Sequence, residues 1–239
     1  MRTIEIDISR IPIAGIQAMT TIDFPGRIAA VFFTSGCPWN CRYCHNPALR
    51  NGGAADIIST DDIDSFLRER QGFIDGIVMS GGEPTLHIGL PDFLRYIRSF
   101  GYTTAIHTNG YYPRRLKNIL MSELVDYVAL DVKAPPKLYD RVTGSRDACV
   151  AVSRSIKHIL SSGVDYEFRT TWHPDILSED ELLDTVRVVA SVGAKRYFLQ
   201  EFQRQGVTDT ALLASNLSAA IPAHISEEAH RLFPEYSVR

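Results

Sequence analysis

Long apolar runs are missing from this sequence. No window of its 239 residues approaches the ~18 consecutive apolar residues that a membrane-spanning helix requires. Residues 1–10 set charged side chains among isoleucines, unlike the apolar core of an export signal. No membrane association is expected, and a cytoplasmic location is. An excess of positive charge is missing too. The 25 Lys and Arg stand against 28 Asp and Glu, a formal net charge of −3, which offers no footprint for a nucleic-acid polyanion. The neighbours Arg114 and Arg115 read as solvated surface. Internal repeats and low-complexity tracts are absent, and the nearest thing to a linker is the Gly/Ala stretch at 51–55, so one domain over 1–239 is expected. Cysteine is scarce, but three of the four, Cys37, Cys41 and Cys44, crowd into eight positions while Cys149 stands alone. That crowding points to a metal rather than to disulfides.

What is present suits a folded domain: 45% hydrophobic and 22% charged residues allow a sizeable core and exclude disorder as the main state. Apolar runs of strand length alternate with helical periodicities. Strands are expected at 28–33, 76–80, 102–107, 127–131, 165–171 and 196–200. Helices are expected at 61–70 with Thr60 as N-cap, at 91–100, 113–121 and 148–160, and from a Ser178/Glu181 capping box through Val192. A weaker helix and a tail follow. Strands and helices in this alternation give an α/β fold whose parallel sheet curls into a full or partial β/α barrel. Such barrels work at the C-terminal ends of their strands.

The first strand runs into Thr34-Ser35-Gly36-Cys37-Pro38-Trp39-Asn40-Cys41-Arg42-Tyr43-Cys44-His45-Asn46-Pro47. Thiolates are the ligands that iron–sulfur clusters prefer, and three of them on a four-iron cubane leave one iron open. Two plainer readings compete. Cys41 to His45 also matches c-type haem attachment, which leaves Cys37 idle and lacks an export signal. A structural zinc with His45 as fourth ligand is the other, though structural zinc is usually built from two separated ligand pairs. The second strand ends in Ser80-Gly81-Gly82-Glu83-Pro84-Thr85, where two glycines let a backbone approach a ligand closely. Alone this is a tight turn; one strand after the cysteine loop it gains meaning. The third strand ends in His107-Thr108-Asn109-Gly110, the fourth in Asp131-Val132-Lys133, the fifth near 169–173 and the sixth in Gln200-Glu201. Polar groups therefore gather at one end of the barrel, although Asp131 and Lys133 equally suit a structural ion pair. Cys149 falls on the apolar face of its helix and reads as a core residue.

With Cys-x3-Cys-x2-Cys, Tyr43 between the last two cysteines, Gly-Gly-Glu-Pro and Thr-Asn-Gly, the chain resembles the radical S-adenosylmethionine enzymes over most of residues 20–205. Within that superfamily the run Thr21-Ile22-Asp23-Phe24-Pro25-Gly26, the run Cys44-His45-Asn46-Pro47 and residues 125–133 resemble the glycyl-radical-enzyme activases, above all those serving anaerobic ribonucleoside-triphosphate reductase. The resemblance implies a partial (β/α)6 barrel of parallel strands with a core over about 20–205 and a C-terminal extension at 206–239. It also implies one [4Fe-4S] cluster per chain held by Cys37, Cys41 and Cys44, with S-adenosylmethionine on the open iron. Gly81, Gly82 and Glu83 would receive the methionyl amine and Tyr43 would lie beside the adenine. Asn109 and Asp131 would line the ribose and methionine, and Lys133 would meet the carboxylate. The implied product is a glycyl radical on a partner enzyme, made by a 5′-deoxyadenosyl radical.

His107 stands where related activases often carry an acidic residue; with an ordinary pKa of ~6.5 its charge is expected to vary near neutrality. A second cysteine cluster is lacking, so electrons are expected from a separate flavodoxin or ferredoxin. A radical enzyme acting on a small deazaguanine precursor and a non-catalytic metal-binding module remain alternatives.

Overall fold

The computed structural model describes residues 8–50 and 56–239; the linker-like stretch at 51–55 and the first seven residues of the 1–10 segment lie outside the described residues. One sheet holds eight strands in chain order. They are β1 (Ile13–Thr20), β2 (Ala29–Thr34), β3 (Gly76–Gly81), β4 (Thr103–Thr108), β5 (Tyr127–Asp131), β6 (Asp165–Trp172), β7 (Arg196–Glu201) and β8 (Glu235–Val238). From β2 to β8 every neighbouring pair is parallel, and β1 alone runs antiparallel to β2. The crossovers contain α1 (Thr60–Glu69), α2 (Leu90–Ser99), α3 (Pro113–Met121), the short α4 (Tyr139–Thr143) with α5 (Ala148–Ser162), α6 (Glu179–Ser191), and the short α7 (Thr210–Ala214) with α8 (Ala223–Leu232). Among the described residues no helix is long and apolar enough to cross a membrane.

The six inner strands stand where alternating apolar runs place them, and the two outer ones were not anticipated. The β1 sequence IAGIQAMT buries its two ends and exposes Gln17 to Met19, and two register irregularities interrupt its pairing with β2. That erases the period-2 signal an edge strand would otherwise give. The four residues of β8 are too few to show a period.

The helices bury stripes at helical spacing: Leu90, Phe93, Leu94 and Ile97 of α2 are fully enclosed, with Phe93 lying 6.2 Å from the ring of Phe32. Truncating a ring buried in this way costs about 3–5 kcal/mol. Ser178 and Glu181 do form a capping box on α6. The cap of α1 is Ser59 rather than Thr60. Its hydroxyl accepts from Asp62 N at 3.1 Å, while Thr60 is already the first helical residue.

Alternation along the strands separates two layers. Ala30, Phe32, Ile77, Met79, Ile106, Val128 and Leu130 face the helices. The opposite face carries small residues, Ala29, Val31, Val78, Ala105 and Ala129, closed below by Phe24 stacked on Tyr127 at 5.8 Å. Two residues further along β4, β5 and β7, the inner face becomes polar: Ala105 is followed by His107, Ala129 by Asp131, and Phe198 by Gln200. A polar chamber therefore opens at the C-terminal ends of the strands, above an apolar floor.

Candidate active site

The chamber is a cavity of about 510 Å³, within the size range of cofactor sites. Its lining includes Cys37, Cys41, Tyr43, Cys44, Gly81, Gly82, His107, Asn109, Asp131 and Lys133. Of the cluster and cofactor residues that the resemblance implies, Glu83 is the one that does not line it.

The cysteine loop follows β2 and is fixed by backbone bonds to three other segments. Ser35 N donates to Pro12 O at 2.9 Å, Cys37 N to Arg50 O at 3.0 Å and Asn40 N to Thr143 O at 2.8 Å. Arg42 adds a two-pronged pair with Asp209, at 2.7 and 3.2 Å. The turn after β3 lies directly against the loop, with Glu83 N donating to Gly36 O at 2.8 Å. Only glycine permits that approach. A Cβ on Gly82 would sit 2.1 Å from Gly36 O, and one on Gly81, whose φ is +111°, would sit 2.3 Å from Thr34 N.

All three loop cysteines are free. Among the described residues no three Cys, His, Asp or Glu side chains converge on a point where one ion could be held. A multi-iron cluster takes each thiolate at a different iron. Burial pushes the Cys37 thiol up to about 12 and the Cys41 thiol up to about 11, so the protein alone keeps both protonated and iron must displace the protons. The Tyr43 hydroxyl is buried without a protein partner beside this space. A buried polar atom of that kind suits a site that receives a ligand. Cys149 lies away from the cavity, half-buried against the core with its sulfur 4.0 Å from Ser153 Oγ.

The carboxylate of Glu83 is turned inward and fully buried. One oxygen accepts from Thr85 N at 3.0 Å, from the Thr85 hydroxyl and from the Thr108 hydroxyl at 2.6 Å; the other accepts from Asn109 N at 2.7 Å. Burial raises its pKa against the pull of these donors. Glu83 does not line the cavity, to which the turn offers the backbone of Gly81 and Gly82.

Asp131 is gripped from both sides, by Lys133 Nζ at 2.9 Å and Arg169 Nε at 3.0 Å. Although burial acts to raise it, Arg169 and Lys133 hold this carboxyl well below the ordinary carboxylate range. The ion pair that the sequence suggested is thus present, and it lies on the cavity wall. Lys133 Nζ also sits 5.4 Å above the Tyr43 ring. The Asn109 amide reaches the Cys37 sulfur at 3.6 Å, while its oxygen accepts from Tyr111 N at 3.0 Å.

His107 corrects the sequence expectation. Its Nε2 lies 2.8 Å from Asp23 O and its Nδ1 lies 3.4 Å from Arg169 Nη1, and burial followed by the Arg169 charge lowers its pKa to about 4. The ring is neutral at pH 7, with Nε2 donating to the carbonyl and Nδ1 accepting from the guanidinium.

Arg169 lies in the polar end expected for the fifth strand at 169–173 and lines the wall, whereas Asp23 and Arg239 were missed as wall residues. Arg169 had a readable signal, since polar side chains at 167, 169 and 171 mark one face of β6. Asp23 reaches the wall from the β1–β2 turn. Arg239 does so by a double bond of charge to buried Glu167, at 2.9 Å twice, across a distance in sequence that no local pattern reveals.

The sequence pattern of the Radical SAM superfamily matches residues 31–189. A protein of Methanocaldococcus jannaschii that carries the name of a glycyl-radical enzyme activating enzyme is 32% identical over 206 residues, 82% of each chain. The pyruvate formate-lyase-activating enzyme of Staphylococcus epidermidis is 30% identical over 101 residues, 40% of each chain. Among solved structures, Streptococcus suis SuiB bound to S-adenosylmethionine superposes with a TM-score of 0.60 at 14% identity, covering 87% of this chain and 49% of SuiB. The chain thus spans about half the length of that structure, and the likeness to it is one of fold. With the pattern match, the extended identity and the cysteine-lined chamber in agreement, the chain belongs to the radical S-adenosylmethionine superfamily, among the relatives of the glycyl-radical-enzyme activases, and is an enzyme whose cofactors are a [4Fe-4S] cluster and S-adenosylmethionine.

Proposed function

We propose that this enzyme generates a glycyl radical on a partner polypeptide, and that the partner is an anaerobic ribonucleoside-triphosphate reductase. The observation that carries the reading is the convergence of three free thiols, a two-glycine backbone and the Lys133–Asp131 pair on one chamber. Bound together, the cluster and S-adenosylmethionine supply a one-electron reductive cleavage to methionine and a 5′-deoxyadenosyl radical.

The chain's own residues hold and orient. Cys37, Cys41 and Cys44 hold the cluster, and Asn109, already 3.6 Å from the Cys37 sulfur, donates to that thiolate. The backbone of Gly81 and Gly82 receives the methionyl amine. Lys133 gives one of its three N–H donors to Asp131 and keeps the others for the methionyl carboxylate. Asp131, pinned by two cations, stays an acceptor for ribose or methionine. Tyr43 sets its ring beside the adenine, and neutral His107 fixes the opposite wall through Asp23 and Arg169. Holding the reacting centres in this geometry and excluding water is the protein's share of the chemistry.

We read the chain as one domain, its core over about 20–205, with residues 206–239 as an extension that the Arg42–Asp209 pair draws onto the cysteine loop. Its place is the cytoplasm, where flavodoxin or ferredoxin serves as electron donor.

The test is anaerobic reconstitution with iron and sulfide, reduction with dithionite, and chromatography for 5′-deoxyadenosine. Its formation, lost in Cys41→Ala, supports radical chemistry; a glycyl doublet in electron paramagnetic resonance after addition of the reductase supports the partner. Cleavage of S-adenosylmethionine with no glycyl signal on any glycyl-radical enzyme would assign the site to a small-molecule substrate instead.

A further inference from the structure

The helices α3 and α5 pack side by side on the outer flank of the sheet. They carry Arg114, Arg115, Lys117, Arg154 and Lys157 and no acidic residue. In a chain of net charge −3 this is a local excess of positive charge. Among the described residues no carboxylate pairs with Arg114, Lys117, Arg154 or Lys157. Arg114 is therefore one edge of a larger unneutralised face, while its neighbour Arg115 is half-buried, stacked on the Tyr112 ring and bonded to the carbonyls of Thr85 and Leu86.

A groove of about 470 Å³ runs between the two helices, lined by Arg114, Arg115 and Arg154, by Tyr111 and Tyr112, and by a single acid, Asp147, at the N-terminal end of α5. None of its lining residues lines the cavity. The groove nevertheless lies close to the cysteine loop. Tyr112 packs on Tyr111 with ring centroids 5.2 Å apart, and Tyr111 packs edge-on against Trp39 of the loop at 6.1 Å. Tyr111 N bonds to Asn109, whose amide reaches Cys37, and buried Ser155 of α5 ties the helix to the same turn through Gly110 O at 2.6 Å.

We infer that the α3–α5 face is the docking surface for an acidic one-electron carrier protein, which delivers its electron through the Tyr111–Trp39 side of the cysteine loop. The inference rests on the radical reading proposed above, because only that chemistry requires an electron from outside. Electrons balance simply: the carrier is oxidised by one electron, the cluster is reduced by one, and no atom passes to this chain. An unneutralised basic face raises the encounter rate with an acidic partner and makes it salt-dependent. Exposed Arg114 and Arg154 beside half-buried tyrosines suit the small, transient contacts of redox partners. Docking on the flank leaves the mouth of the chamber to the polypeptide that is acted upon.

The experiment compares the reconstituted wild-type chain with Arg114→Glu/Arg154→Glu and with Arg114→Lys/Arg154→Lys. Acidic flavodoxin is the probe, its Kd is measured anaerobically by biolayer interferometry at low and high salt, and reduction of the cluster by reduced flavodoxin is followed by stopped-flow absorbance. Charge reversal should weaken flavodoxin binding at least tenfold and slow cluster reduction at subsaturating flavodoxin by a similar factor. The lysine variant should bind within about threefold of wild type. Dithionite-driven formation of 5′-deoxyadenosine should be unchanged in both. A flavodoxin Kd within twofold of wild type in the glutamate variant overturns the inference, as does an equal loss of dithionite-driven cleavage. Loss of binding to the glycyl-radical enzyme with flavodoxin binding intact also overturns it and gives the face to that enzyme. Failure of the radical reading shows separately, as absence of dithionite-driven cleavage in the wild type.

Discussion

The backbone N–H of Asn109 donates to the carboxylate of Glu83 at 2.7 Å, so the turns that end β3 and β4 are held together by one buried acid. Through Asn109 the same link continues to the Cys37 sulfur. The acid of the Gly-Gly-Glu turn thus acts on the cysteine loop from beneath.

Replacing Glu83 by Gln should therefore damage the site although it keeps size and polarity. The amide can accept at one end only, and the other end would point N–H toward N–H, at either Asn109 or Thr85. Leaving a buried donor without an acceptor costs about 1–3 kcal/mol. We expect a lower urea midpoint and reduced iron retention after reconstitution; an unchanged midpoint would show that the buried carboxylate does not support the two turns.

Gly82→Ala should be harsher at the cluster than for the fold as a whole. The added methyl would meet a backbone oxygen, Gly36 O, at 2.1 Å, and neither backbone can yield without moving the cysteine loop. Iron content per chain should fall by more than half while far-ultraviolet circular dichroism stays near that of the wild type.

A pH series should isolate His107. Its folded pKa of about 4 lies below the unfolded value of ~6.5, so in the interval between them the unfolded chain binds the extra proton. The contribution is complete above pH ~6.5 and is lost as the pH falls through about 4, with a full span on the order of 3 kcal/mol. Arg169 favours the neutral ring, while Asp23 and Asp131 oppose it. Burial also lowers His45, His87 and His173, so the wild type loses stability on acidification at several sites. The difference between wild type and His107→Gln in urea midpoints from pH 7 to 4.5 reports the one ring, and a constant difference would contradict the neutral assignment.

Lys133→Met should weaken S-adenosylmethionine binding about 10- to 100-fold, equivalent to about 1.4–2.8 kcal/mol, with iron content unchanged. Asp131 keeps Arg169 as a partner, so the wall should survive. Equilibrium binding to the reconstituted protein checks this; full affinity would reduce Lys133 to a structural counter-ion.

Most of the inner sheet was legible because each inner strand is a short apolar run ending in polar residues, and each intervening helix a stripe at 3.6-residue spacing. The chamber's cysteines and glycines could be read because their chemistry is confined to contiguous turns. What escaped was assembled across the chain. β1 carries irregular register, Glu83 turns away to bind Thr108 and Asn109, and His107 loses its charge to burial and then to Arg169, 62 positions on. Side-chain direction and local dielectric are set by partners that arrive only on folding.

Beneath the chamber, Phe24 stacks on Tyr127 in an apolar cluster with the small residues of the inner face, so the chamber's floor is packed side chain. Traffic is then one-sided: nucleoside and amino-acid fragments depart by the doorway through which a glycine-bearing loop would come in. A docked polypeptide stands in their way, so turnover would be governed by dwell time at that doorway, and a partner held too tightly would become an inhibitor of its own activator.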